Sequence, residues 1–180
     1  FEQSRHQEIV ILVDEHDREI GTAEKLDAHQ RGGLHRAFSV MVWDGRGRLL
    51  LQRRSIGKYH SGGLWTNACC GHPRPGERVA DAALRRLQEE MGFQCPLNLL
   101  GTFQYRADLD HGLIEHELVH IFRGQFDGAI AANPEECDGF TWAMPNEIMR
   151  DVANDPERFS AGFKNIALLV GRLRHSYHEL

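Results

Sequence analysis

The apolar and polar positions of this chain fall into short blocks that can be assigned one at a time. Ile9–Val13 is a β-branched run closed by the polar Asp14-Glu15-His16-Asp17, and residues 20–23 follow as its hairpin partner. An isolated hairpin is marginal in water, so the pair is expected to join a larger sheet. Residues 25–34 contain Lys25, His29 and the pliant Arg31-Gly32-Gly33 and receive no element, and His35 stands at the mouth of the next strand. Residues 37–43 and 49–54 are apolar runs joined by Asp44-Gly45-Arg46-Gly47, which predicts strand, turn and strand in a central position. A loop over residues 55–63 carries Lys58. From Trp65 to Phe93 the pattern changes from strand to polar loop to helix. Further strands are predicted over residues 97–106, 114–122 and 140–142, and two helices over residues 145–154 and 160–177.

Two of these segments place charge where apolar contact is expected. In the helix before Phe93, Val79, Ala83, Leu87 and Met91 form one apolar stripe, and Arg86 and Glu90 lie on its flank rather than on the wet face. One explanation is an i,i+4 ion pair worth about 0.3–0.5 kcal/mol. The other is that the inward carboxylate and guanidinium hold a divalent cation and a phosphate. In residues 114–122 alternation puts Glu115, Glu117, Val119 and Ile121 on one face. Either that strand is an edge dipping into solvent, or its two carboxylates face inward and require a cation.

Composition narrows the class. A chain of 180 residues with 41% hydrophobic content is expected to form one domain with a sizeable core. Its net charge of −5, with the 21 Lys and Arg residues scattered, argues against a nucleic-acid or membrane-surface partner. No apolar stretch approaches the roughly 20 residues of a membrane span, so a soluble, cytoplasmic protein is expected. Cys69, Cys70, Cys95 and Cys137 lack the spacing of a disulfide framework. Of the 11 histidines, His6, His16, His60, His111, His116, His175 and His178 sit among polar residues and are expected at the surface.

Gly71, Glu77 and the run Arg85-Arg86-Leu87-Gln88-Glu89-Glu90-Met91-Gly92-Phe93 resemble the Nudix box G-x5-E-x7-R-E-U-x-E-E-x-G-U, with Arg86 where the box has Glu. Directly ahead stands TNACCGHP, residues 66–73, and the combination resembles the type I isopentenyl diphosphate isomerase family. The resemblance implies an α/β (α+β) fold: a Nudix-like α/β/α sandwich around a central mixed sheet, with an N-terminal extension, spanning residues 1–180 as one domain. It implies interconversion of isopentenyl and dimethylallyl diphosphate by a 1,3-allylic proton shift. Cys70, Glu117 and Tyr105 match the family's catalytic residues, with Glu117 expected to give the proton and Cys70 to take one from C2. His29, His35, His72, Glu115 and Glu117 match its metal site, suited to one Mn or Zn ion, while Glu90 would hold Mg on the diphosphate. Lys25, Arg54, Lys58 and Arg86 match its substrate-binding cations. A small diphosphate partner and a monomer or weak homodimer are expected. The aromatic group facing the cationic intermediate would be Phe163 or Trp65.

Two other functions share parts of this pattern. A Nudix hydrolase of a nucleoside diphosphate derivative would use the helix with Glu89 and Glu90 but has no need of Arg86, Cys70 or the His/Glu set. A non-enzymatic sensor or a structural zinc domain could use Cys69, Cys70 and His72, although adjacent cysteines fit the usual paired spacing poorly.

Overall fold

The computed structural model describes residues 8–58 and 60–175, with side chains to residue 168. His6, His178 and the last positions of the helix expected to reach Tyr177 lie outside the described residues. The strands are β1 (Ile9–Val13), β2 (Glu19–Glu24), β3 (His35–Trp43), β4 (Leu49–Arg54), β5 (Trp65–Asn67), β6 (Cys69–Gly71), β7 (Asn98–Asp108), β8 (Ile114–Gln125) and β9 (Cys137–Ala143). The helices are α1 (Lys25–Arg31), α2 (Val79–Met91), α3 (Pro145–Asn154) and α4 (Ala161–His175). No helix among the described residues is long and apolar enough to cross a membrane.

Strand β3 is the axis. Along one edge it pairs in turn with β1, β6 and β4, all antiparallel, and along the other with β8, parallel from His35↔Glu117 to Trp43↔Gln125. β8 pairs on its far side with β7, so it is an inner strand and its two carboxylates do not lie at a sheet edge. The expected hairpin β1–β2 joins the same mixed sheet through β1.

A strand covered on both faces reads as a continuous apolar run, and β3 is covered twice. Phe38, Val40 and Val42 pack with Ala82, Ala83, Leu87 and Met91 of α2. On the other face Ala37, Met41 and Trp43 pack with Ile148 of α3 and Phe163 and Ile166 of α4. The stripe of α2 is therefore its buried side, and truncating Leu87 to Ala would cost about 2–5 kcal/mol.

Two box glycines have steric reasons. A Cβ on Gly71 would come within 2.8 Å of the Phe38 ring, so only Gly lets β6 lie so close to β3. Gly92 ends α2 in the left-handed region at φ 74°, with its N–H on the Gln88 carbonyl.

The element absent from the expectation is α1. It has no side-chain cap and spans only seven residues before Gly32, at φ 72°, turns the chain. Its start and stop signals are thus weak in sequence. Elsewhere β7, β8 and β9 run longer than expected, and the loop ahead of α2 contains the short strand β6.

Candidate active site

Strand register brings the chemistry together. Glu117 of β8 lies opposite His35 of β3 and opposite Tyr105 of β7, and Glu115 lies opposite Ala107. His72 follows β6, and α1 supplies His29 from the turn beyond Lys25. Nδ1 of His29 lies 2.7 Å from the Lys25 carbonyl, and Nδ1 of His35 lies 2.9 Å from that of Gly33. A carbonyl only accepts, so each Nδ1 carries the proton and each Nε2 presents a lone pair. Nε2 of His35 is 3.5 Å and Nε2 of His72 is 3.3 Å from Oε1 of Glu117.

His29, His35 and Glu117 each offer a ligand atom, all within 4.8 Å of one another, a spacing that could hold a metal ion. Nε2 of His35 and Nδ1 of His72 are buried without a hydrogen bond, an arrangement costly in a dry interior unless a ligand completes it. Imidazole with carboxylate, the imidazoles oriented by backbone carbonyls, fits a borderline divalent ion.

His60 overturns one expectation. It is 7% exposed, not a surface residue, and forms a second group of the same spacing with His29 and Glu115. Polar neighbours in sequence hid it, because the loop turns inward beneath Arg54. Of the others expected outside, His16 and His111 are exposed, and His116 is half-buried with Nδ1 3.0 Å from the Gly32 carbonyl.

Burial and mutual contact set the charges. Burial, with the nearby His72, brings His29 down to about 4. Burial beside Arg54 takes His60 to about 2. Burial alone would raise Glu117, but the adjacent His35 and His72 rings hold it well below the usual carboxylate range. Burial and the Glu117 charge push its neighbour Glu115 up to about 8. Tyr105 is held well above the usual phenol range by burial and by both carboxylates.

Cys70 projects from β6 opposite Ser39 of β3, while Cys69 points the other way into the core against α2. Its Sγ lies 3.4 Å from Ser39 Oγ and donates to Oδ1 of Asn67 at 3.3 Å. Asn67 is pinned by donating to the Val40 carbonyl at 2.8 Å and that of Cys69 at 3.1 Å. It thereby orients the thiol, a role the motif alone did not disclose. Burial pushes the thiol up to about 11. Burial thus favours the protonated form of the Cys70 thiol, while the neighbouring imidazoles favour the ionised form of Glu117.

A cavity of about 910 Å³ is lined by Cys70, Tyr105, Glu115 and Glu117 together with Lys25, Arg54, Lys58, Arg86 and Glu90. At its basic end Arg86 forms the expected i,i+4 ion pair with Glu90 at 2.8 Å and also lines the cavity. It also reaches Glu136 at 3.4 Å, and Lys58 pairs with the same carboxylate. Gln52 fixes Glu90 from behind at 3.2 Å. Lys25 pairs with Glu8 at 3.2 Å. Nη2 of Arg54 donates to the His60 carbonyl, and its Nε is buried without a partner, a cationic donor suited to an anion. Neither aromatic side chain expected at the cationic centre lines this space. Phe163 is sealed in the core and Trp65 packs against it, whereas Phe103 and Tyr105 face the cavity.

The NUDIX domain family matches residues 33–163 of the chain. The isopentenyl-diphosphate Delta-isomerase 2 of Aromatoleum aromaticum is 56% identical over 151 residues, 84% of this chain and 80% of that protein. The isopentenyl-diphosphate Delta-isomerase 2 of Photorhabdus laumondii is 50% identical over 159 residues, 88% of this chain and 90% of that protein. Among solved structures, one from Deinococcus radiodurans superposes with a TM-score of 0.74 at 20% identity, covering 92% of this chain and 98% of that one. That likeness concerns the fold.

Proposed function

The chain belongs to the isopentenyl-diphosphate Delta-isomerase family of the NUDIX fold, and on that premise we propose that residues 1–180 act as one isomerase domain that moves the double bond of isopentenyl diphosphate to give dimethylallyl diphosphate for isoprenoid biosynthesis. The observation that supports this best is that one cavity joins the Cys70 thiol and the Glu117 carboxylate to a basic end in which Arg86 stands where the hydrolytic box has Glu.

The reaction adds a proton at the terminal alkene carbon and removes one from C2. Cys70 and Glu117 are the two acid–base groups. From a protonated thiol and an ionised carboxylate, the thiol gives the proton and Glu117 takes one from C2; the opposite state, left after one turnover, runs the return reaction. Tyr105, opposite Glu117 in the sheet, stays a neutral phenol and donates to Glu115. Phe103 and Tyr105 present aromatic surface to the cationic carbon, which must be kept from water.

Lys25, Arg54, Lys58 and Arg86 grip the diphosphate, displacing the carboxylates that now neutralise three of them. His29, His35, His72, Glu115 and Glu117 would hold one Mn or Zn ion, and Glu90 would hold Mg against the diphosphate. The bound cation supplies positive charge that keeps Glu115 and Glu117 ionised and oriented. The four cysteines are unpaired, which fits a reducing cytoplasm.

The test is incubation of the purified protein with isopentenyl diphosphate and Mg. The allylic isomer should appear without phosphate release. Phosphate release without isomer would restore a hydrolase, and neither product from metal-loaded protein would favour a sensor.

A further inference from the structure

We propose that Gly162, in the first turn of α4, is a positioning residue for the isomerisation: its missing side chain lets the Tyr105 hydroxyl lie close against the helix, where it bonds Glu115. The inference rests on the isomerase reading above and on the part given there to Tyr105.

Nothing in the helix itself asks for glycine at this place. Gly162 is not among the glycines with positive φ, and inside a helix glycine is a poorer choice than alanine because it loses more backbone freedom. The reason lies across the cavity that both residues line. A Cβ on Gly162 would stand 2.9 Å from Oη of Tyr105 and 3.6 Å from its Cζ. Among the described residues, no other atom beyond the chain neighbours and the helix's own backbone comes within 4 Å of it. The one tight contact is therefore with the phenol oxygen.

The backbone on both sides is held. Gly162 lies between Phe159 and Phe163, which are 3% and 0% exposed. The Ser160 N–H donates to the Trp65 carbonyl at 2.9 Å, and Phe159 forms a parallel β-bridge with Trp65. Tyr105 is fixed in register opposite Glu117, and its ring stacks on Phe103 with centroids 5.7 Å apart. What can yield to an added Cβ is the side-chain torsion of Tyr105. Restoring an ordinary contact of about 3.5 Å moves the hydroxyl by roughly half an ångström and disturbs its bond to Glu115. A misplacement of about 1 Å in an active site can cost about 10²-fold in rate.

The experiment is a double-mutant cycle on the full chain, read as isomerisation kinetics. Gly162→Ala should lower kcat about tenfold and leave KM within about twofold, because the cations that grip the diphosphate are untouched. Tyr105→Phe removes the oxygen at 2.9 Å and leaves the ring carbon at an ordinary 3.6 Å. In that background Gly162→Ala should change kcat by less than about twofold. Equal losses in both backgrounds, or no loss when Tyr105 is intact, would overturn the proposal. Fluorine NMR of protein labelled with 3-fluorotyrosine gives a readout that needs no activity, the Tyr105 signal being the one lost in Tyr105→Phe. Gly162→Ala should shift that signal and leave the other two tyrosine signals in place; an unmoved Tyr105 signal would overturn the proposal. Wild type that forms no isomer would fail the isomerase reading, while the fluorine shift still decides whether Gly162 sets the phenol.

Discussion

His35 and Glu117 face each other across the parallel ladder of β3 and β8, and Nε2 of the one lies 3.5 Å from Oε1 of the other. The pairing fixes the cage, because a slip of one residue would turn every side chain of β8 to the opposite face. Two inward carboxylates on β8 are thus tied to a specific neighbour rather than to a generally polar environment.

Glu117→Gln should lower turnover by about 10²–10⁴-fold, the usual worth of a positioned acid–base group. The amide keeps the shape and can still bond His35 or His72, so the far-ultraviolet spectrum should not change. Formation of dimethylallyl diphosphate is the measurement, and near-normal activity would refute the role.

Cys70→Ala should leave a folded protein that retains its metal and does not isomerise. In the wild type, alkylation of Cys70 by iodoacetamide should be slow at neutral pH and rise roughly tenfold per unit toward pH 11, because the thiolate is the nucleophile and burial holds the thiol up to about 11. A rate that levels off near pH 7, followed by mass spectrometry, would show a thiol activated at rest.

How far these groups were legible differs from one to the next. Alternation alone set Glu115 and Glu117 on one face, and the helical period set Arg86 and Glu90 on the flank of an apolar stripe; both placements match the structure. Periodicity reports only neighbours along the chain, so the partner of Glu117 across the sheet could not be read from it. Helix α1 escaped notice because it is short, uncapped and ends in two glycines. His60 escaped because a polar loop reads as solvated until something shows it folding inward. The positions of Asn67 and Gln52 depend on which carbonyls lie beside them, and no spacing rule encodes that.

Arg86→Gln should raise KM for the diphosphate about 10–100-fold, since bonds to charged groups are worth about 1.5–3 kcal/mol. It should also lower Tm, because Glu90 and Glu136 lose a partner they share. Steady-state kinetics and a thermal melt separate the two effects; an unchanged KM would remove Arg86 from the phosphate grip.

Chelated protein should lose stability as the pH falls from about 6.5 to 4. The folded state depresses His29 from 6.5 to about 4, so the unfolded chain takes up the proton first and acid favours unfolding. At 1.36 kcal/mol per unit this amounts to roughly 3 kcal/mol, complete above 6.5 and gone below 4. His60 acts in the same direction over a wider range; His35, where Glu117 outweighs burial and raises the pKa, contributes stability that is already complete at pH 6.5 and constant below it. Tm measured across this range in chelator should fall steadily; a flat profile would show that these rings are solvated.

The parallel ladder between β3 and β8 also bears on how the chain reaches its native state. The strands that carry His35 and Glu117 are far apart in sequence, with β4, β5, β6, α2 and β7 between them. Contacts of such separation form late, after the entropy of closing a long loop has been overcome. A nascent chain that has emerged only through α2 therefore possesses the imidazoles without Glu115 and Glu117, and the proposed cage can be completed only after synthesis has passed β8 and the sheet has closed.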